Sequence, residues 1–382
     1  MSRLRKIVDT LRPTFAKDGK LKMFHSTFDA LDTFLYVPGH TTNGGTHIKD
    51  GVDLKRTMFI VVIAMIPALL FGIWNTGYQH FLATGVINPE MMDCILYGAM
   101  KVLPIVAVSY GVGLGIEFAF AQARGHAVNE GFLVTGMLIP LVLPPDIPLW
   151  MVAVGTAFAV IIGKEVFGGT GYNFINPALA ARAFLFFAYP LAMSGEEVWI
   201  AGFDEAIDGY SGATNLGAIA AKTPTMVTSW WDSFMGWIPG SVGETSTLMC
   251  LIGALILGLT GVGSMRIILS VFIGAILMGM TINQFAPIDS IYMNVPWYYH
   301  LVWGGFAFGA VFMATDPVSA PKTAKGKVIY GLLIGSVAIL VRIFNPGFPE
   351  GMMMVIILLN VFSRTIDNYV IEGKLKKRLA NG

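Results

Sequence analysis

The sequence predicts an all-α polytopic membrane protein of about ten transmembrane helices, arranged as two inverted five-helix repeats with broken helices. Three observations predict it. Apolar residues make up 55% of the 382 and charged residues only 13%, and the mean hydropathy is +0.66, far from the balance of a soluble domain. Apolar windows of about 20 residues, the length a helix needs to cross hydrocarbon, recur along the chain. Asn176-Pro177 and Asn345-Pro346 stand at matching places in the two halves, as an inverted duplication would leave them. Asn-Pro also simply starts helices, so the dipeptides alone leave both readings open.

Taken in order, residues 1–56 mix charge with polarity and lack an apolar h-region, so they read as a cytoplasmic segment rather than a cleaved signal. Spans follow at roughly 57–76, 99–121, 131–145, 148–164 and 174–193, giving a first transmembrane unit at 57–193. After a loop at 194–244, the second unit at 245–367 holds spans at roughly 245–262, 266–287, 296–315, 327–344 and 351–367, ahead of a basic tail at 368–382. The stretches "LIPLVLPPDIP" and "FMATDPVSAP" read as broken helices, where such folds expose backbone carbonyls and place binding sites.

Charge orients the bundle. Arg3, Arg5, Lys6 and Arg12 near one end, and Lys374, Lys376, Lys377 and Arg378 near the other, make both termini cytoplasmic. Arg124, Lys164, Arg266, Lys322, Lys325 and Lys327 then fall on the same side, while Lys101, Arg182, Lys222 and Arg342 remain unassigned. The 194–244 loop carries Glu196, Glu197, Asp204, Glu205, Asp208, Asp232 and Glu244 against the single base Lys222, and reads as periplasmic.

Several chemistries are excluded. Cys94 and Cys250 are too few for a disulfide framework, a zinc cluster or an iron–sulfur set, and the histidines show no paired spacing within a span. There is no phosphate-binding Walker loop and no dinucleotide glycine fingerprint, and no nucleic-acid partner is expected.

Four places carry candidate chemistry. In "DGYSGATN", residues 208–215, Thr214 caps a short helix on the plain reading. Its small neighbours Gly212 and Ala213 also leave the hydroxyl open to a modifying enzyme, and a phosphoester there would sit in water at little cost. Glu117 lies inside the second span, where a carboxylate costs about 2.5–3.5 kcal/mol on insertion scales, so it handles a cation or proton, or pairs with Arg182 or Lys101. In "HAVNEGF", residues 126–132, Glu130 accepts a proton while Gly131 and Phe132 offer a flat approach to an apolar ring, or Asn129 and Glu130 merely cap a helix. Asp316 beside Pro317 is a further cation candidate. Trp230, Trp231 and Trp237 read as an interfacial aromatic belt, with shielding of a ligand as the alternative.

The blocks "GVDLKRTMF", "GKEVFGGTGYNFINPALAARAFLFFAYP", "DGYSGAT", "IPGSVGETSTL", "GGFAFGAVFMATDPVSA" and "NPGFPEGMM" resemble those of the B subunits of bacterial sodium-translocating NADH:quinone reductases, from about residue 20 onward. The D subunit of Rnf-type electron-transport complexes is similar at the SGAT-like site and "TDPVSA", but generally lacks the amino-terminal segment with "FLYVPG" and "DLKR". The resemblance implies FMN joined through its phosphate to Thr214, within the motif of Asp208, Ser211, Gly212 and Ala213, by a flavin transferase acting outside the cytoplasm. It implies a non-covalent riboflavin by Asn173 and Asn176. It implies reduction of ubiquinone or menaquinone near Gly113, Glu130, Gly131 and Phe132, with Leu114 standing where the family often has a glycine. It also implies sodium handling by Glu117, Asp29 and Asp367, the last two being ordinary solvated carboxylates on the plainer reading. The expected setting is the bacterial inner membrane, among lipid and the companion subunits of the complex. Electrons would pass from FMN through riboflavin to quinone, coupled to Na+ export, which costs about 2.3 kcal/mol per charge per 100 mV. The rivals are an Rnf-type subunit and a urea- or ammonium-type channel with no flavin.

Overall fold

A computed structural model of the chain describes residues 3–15, 28, 32–33, 45, 54–125, 131–223, 227–345 and 347–381. These residues form helices and no strands. Six segments are long and apolar enough to cross a membrane: α2 (Leu54–Ala83), α3 (Met91–Arg124), α5 (Leu149–Ile161) with the 3-10 turn that prolongs it to Phe167, α10 (Met265–Phe285), α12 (Ala324–Phe344) and α13 (Met352–Asn381). The amphipathic α1 (Arg3–Phe15) precedes them.

Four other apolar pieces are too short to cross. α4 (Phe132–Leu141), α6 (Pro177–Ala188) and α9 (Thr247–Leu259) have 10, 12 and 13 residues, about 15–20 Å against a hydrocarbon layer of about 30 Å. The shortest, α11 (Phe306–Phe308), passes directly into a π-helical turn at Gly309–Met313. Sequence explains where each stops. α4 ends in the Pro140 and Pro144-Pro145 run, and α11 ends ahead of Asp316-Pro317. The outer loop adds two short helices, α7 (Asn215–Ala220) and α8 (Trp230–Met235).

The same order of elements occurs twice. α2, α3, the half-helix α4, α5 and α6 are followed by α9, α10, the half-helix α11, α12 and α13. Contacts follow the same rule: in each repeat the second helix packs on the fourth (α3 on α5, α10 on α12), and the repeats meet through their first helices, α2 and α9, and their last, α6 and α13. This is the pairing that a two-fold axis between inverted repeats requires.

Glycine permits the closest of these approaches. A Cβ on Gly335 of α12 would fall on the Val271 carbonyl oxygen, and one on Gly274 of α10 on that of Leu332, so backbone meets backbone as in small-residue membrane packing. Replacing Gly335 by Val is expected to force α10 and α12 apart at a cost of about 1–3 kcal/mol. A thermal melt of the detergent-solubilised protein checks this, and an unchanged midpoint would contradict the close packing.

Boundaries differ from hydropathy in a regular way. α2 and α3 run well past 57–76 and 99–121, because a helix does not end where hydrocarbon does. α13 continues through the basic tail as one 30-residue helix. The two Asn-Pro pairs also part company. Asn176 caps the start of α6, whereas Asn345 closes α12 and α13 begins only at Met352.

Candidate functional site

Two clefts lie between the repeats, one at each face. α9 and α11 each run from one to the other. Thr245, just ahead of α9, and Gly305, just ahead of α11, line the first, while Leu257 and Phe312 from their far ends line the second.

The first cleft, about 30 Å³, is walled by Thr214, Asn215, Pro239, Gly240, Glu244, Trp303, Gly304, Gly305 and Glu350 among others. Thr214 caps α7 by accepting from Gly217 N at 3.2 Å, which satisfies one of the orphan amides of a helix start. The residue is half-buried, so its neighbours screen it more than their small size suggested. Ser211 Oγ accepts from Ala213 N at 3.3 Å and donates to Glu196 at 3.2 Å. Gly212 is buried, and a Cβ there would run into the Glu196 carbonyl oxygen. Asp208 is exposed on the turn and outside the cleft. Burial, with a smaller push from Tyr78, raises the Tyr210 phenol above its ordinary value, so it stays neutral near the turn.

The turn is fastened to the second repeat. Asn215 donates to Thr228 at 2.8 Å and to Ser233 at 3.1 Å, and Trp303 Nε1 donates to the same Ser233 hydroxyl at 3.1 Å. Leu216 and Ile219 join Val295, Val302 and Trp303 in a small second core. Trp230 stacks on Phe234 and donates to the Tyr298 carbonyl, so it packs, whereas Trp231 and Trp237 are exposed as a belt requires.

Behind the cleft stands a buried charge cluster. Arg182 Nη1 donates to both oxygens of Glu244 at 2.7 and 2.9 Å, and its Nη2 to Glu350 at 2.5 Å. Arg342, with 0% exposure, donates to the carbonyls of His300 (2.6 Å), Trp303 (2.7 Å), Gly304 (3.2 Å) and Glu350 (2.9 Å). It thereby holds the Gly304–Gly305 turn, where both residues have positive φ, against the cleft. Residue type alone did not single out this cluster. The signal was Arg182 and Arg342 left over inside spans, since a guanidinium at that depth demands carboxylates or carbonyls.

The second cleft, about 120 Å³, is lined by Thr57, Met58, Gly131, Val134, Lys164, Thr170, Asn173, Asn176, Leu257, Phe312 and Asp316, with others. Asn176 Oδ1 accepts from Ala178 N at 2.9 Å and Leu179 N at 3.4 Å, and Asn173 donates to the Ile175 carbonyl at 3.0 Å. Thr170 Oγ1 is buried there with no partner among the described residues. Such an orphan, in a mostly apolar hollow with a few polar side chains, marks a place for a ligand with polar edges.

The remaining predicted residues fall as follows. Glu117 pairs with Lys164, both nearly fully buried, and not with Arg182 or Lys101. Lys101 is occupied by Asp146 at 2.7 Å and lies 16 residues up the same helix from Glu117, about 24 Å away. Arg182 is held by Glu244 and Glu350. Gly113 and Phe132 do meet, for a Cβ on Gly113 would occupy the Phe132 ring. That ring is fully buried, edge-on to Tyr110, so it offers no open face. Gly131 lines the second cleft. Glu130 and Asp29 lie outside the described residues.

Asp367 is 6% exposed, not the solvated carboxylate of the plainer reading. It accepts from Lys322 N (2.6 Å), Thr323 N (3.0 Å) and Thr323 Oγ1 (2.6 Å) at the start of α12. Because three donors converge on it, Asp367→Ala is expected to cost about 1–3 kcal/mol, read as a lowered unfolding midpoint. Asp316 accepts from Val318 N (3.0 Å) and Ser319 Oγ (2.8 Å) while lining the second cleft.

The family described as NQR2, RnfD, RnfE matches residues 41–376. The chain is similar to the B subunit of the Na(+)-translocating NADH-quinone reductase of Azotobacter vinelandii, at 45% identity over 99% of both chains. The B subunits of the same name from Ectopseudomonas mendocina, 46% identical over 99% of both, and Chromohalobacter salexigens, 45% over 98% of this chain and 96% of that one, are equally similar.

Proposed function

The chain belongs to the NQR2, RnfD, RnfE family, and on that premise we propose that it is the membrane subunit of a sodium-translocating NADH:quinone reductase, carrying FMN as a phosphoester on Thr214 and riboflavin in the second cleft. One observation carries the reading: a capping threonine with small neighbours stands at the mouth of a cleft between the repeats. The second cleft fits a flavin by its orphaned Thr170 hydroxyl, its two asparagines and its apolar walls. A flavin, when bound, takes up and releases electrons singly, and that is the chemistry this chain lacks on its own.

The chain's residues would do the rest. Gly131 and Asn176 bound the ring in the second cleft, Lys164 sets a cation at its edge, and Arg342 fixes the Gly304–Gly305 turn beside Thr214. The Thr214 face is the periplasmic one, where a flavin transferase works, and both termini are cytoplasmic by charge. Quinone, Na+ and companion subunits are the partners, and the chain is inactive alone. Glu117 and Asp367 are buried carboxylates and Asp316 a half-buried one, suited to cation handling on the cytoplasmic half. Asp29 and Glu130 remain sequence-based candidates for sodium and quinone.

Intact-mass spectrometry of the chain from its own cells tests the reading. An added flavin mononucleotide, mapped to the peptide holding Thr214, is the expected result. A single unmodified species would overturn it and favour a channel without redox chemistry.

A further inference from the structure

Two side-chain contacts fix which residues of α12 and α13 share a depth in the membrane. Asp367 takes the Lys322 and Thr323 amides, and Tyr330 donates to Asn360 Oδ1 at 2.5 Å. The helices therefore run antiparallel with residues 322–330 level with 367–360. Lys325 and Lys327 stand level with Arg364, and one turn deeper Val328 and Ile329 stand level with Val361 and Phe362. This makes two layers. Toward water, Lys322, Lys325 and Arg364 are exposed and Lys327 is half-buried. Toward hydrocarbon, Val328, Ile329, Val361 and Phe362 are all exposed.

The cations of the outer layer have no carboxylate of their own. Among the described residues none of the four makes a salt bridge, whereas Lys101, Arg124, Lys164 and Arg182 each do. Lys322 donates to the Pro317 carbonyl and Arg364 to that of Val318, the latter at 2.8 Å. The nearby carboxylates are occupied by amides and hydroxyls, Asp316 by Val318 and Ser319, Asp367 by Lys322 and Thr323. Glu372, the next acid along α13, lies about 12 Å beyond Arg364. Burial first, then the charge of Arg364, holds the Lys322 ammonium below its ordinary pKa, as crowding by like charge requires.

We propose that this corner of α12 and α13 binds an anionic phospholipid, its phosphate on Lys325, Lys327 and Arg364 and its acyl chains on Val328, Ile329, Val361 and Phe362. A free anion would use the cationic layer alone and leave the apolar one uncovered. A zwitterionic lipid carries its own cation and so gains little from the patch. Only an amphiphile with a net negative head matches both layers at this spacing, since lysine and arginine at a helix end reach to the headgroups while the stem below stays in hydrocarbon. The site is also joined to the second cleft: Arg364 holds the Val318 carbonyl, and Asp316, Pro317 and Val318 line that cleft. A lipid held here steadies one wall of it.

The test uses the full chain, purified in detergent, mixed with equal amounts of phosphatidylglycerol and phosphatidylcholine and weighed by native mass spectrometry. Phosphatidylglycerol is expected to be retained in preference. Lys325→Gln with Lys327→Gln is expected to lower that preference by at least about tenfold, since each cation near the headgroups favours an anionic lipid about fivefold. Lys376→Gln with Lys377→Gln removes the same charge about 18 Å beyond Arg364 on α13 and is expected to leave the preference unchanged. Both pairs are surface lysines, and melting midpoints equal to the parent's in lipid-free detergent show that the variants fold. An excess of inorganic phosphate is expected not to displace the lipid; displacement would overturn the proposal and leave a plain anion site. Equal retention of the two lipids by the parent chain would also overturn it. An unchanged preference after Lys325→Gln with Lys327→Gln, together with companion subunits lost from the purified complex, would assign the patch to an acidic protein instead.

Discussion

Thr214→Ala is expected to give a chain with no flavin fluorescence on a denaturing gel, and a complex whose NADH-driven quinone reduction falls at least a hundredfold, about 2.7 kcal/mol or more in barrier terms. The substitution removes two things at once, the hydroxyl that would carry the phosphoester and the cap on α7. Cap loss alone costs about 1 kcal/mol, too little to unfold a bundle of this size. Thr214→Asn separates the roles, because Asn caps as well as Thr but has no hydroxyl to esterify. A dark band with an unchanged melting midpoint is the expected outcome for Asn. Thr214→Ser keeps both cap and hydroxyl and is expected to remain fluorescent. A fluorescent Thr214→Asn chain would place the attachment on another residue.

Arg182→Ala is expected to lower stability by about 3–5 kcal/mol, because it strips away the guanidinium that binds both Glu244 and Glu350 and leaves the buried Glu244 carboxylate unpaired beside the half-buried Glu350. For a chain of this length that corresponds to a fall in melting midpoint of about 4–6 °C. Arg182→Lys keeps the charge but cannot span both partners, so an intermediate loss is expected. Neutralising the partners in the same chain, Arg182→Met with Glu244→Gln and Glu350→Gln, is expected to recover much of the midpoint, since the penalty lies in unpaired charge rather than in a missing contact. An Arg182→Ala protein that melts with the parent would show that the cluster is not dry.

Hydropathy made most of the architecture legible. Each of the ten windows corresponds to a helix or half-helix, because burying backbone in hydrocarbon leaves helix as the only choice for such stretches. Thr214 was legible as a helix cap, because a hydroxyl residue ahead of "NLGAIAA" is a common helix start, whereas its reading as an attachment point comes from the resemblance of the "DGYSGAT" block. Partnerships were not legible. Glu117 and Lys164 are 47 residues apart and meet only through the packing of α3 on α5, and no window reports which face a side chain takes. Phe132 shows the same limit from the other side. Its type suits a ligand-facing ring, but Gly113 opens a notch that the ring fills, so it belongs to the core. Asp367 reads as a boundary carboxylate until α12 is seen to begin against it. Ser241 reaches the first cleft because residues 241–243 lie against the Leu141 and Leu143 carbonyls, which is a property of the folded loop alone.

One half-helix separates the two clefts. From Gly305 to Phe312 is seven residues, about 10 Å of rise, or a third of the hydrocarbon thickness. The insulating septum between the hollows is therefore far thinner than the membrane around it. A charge displaced from one hollow to the other has only this narrow partition to traverse.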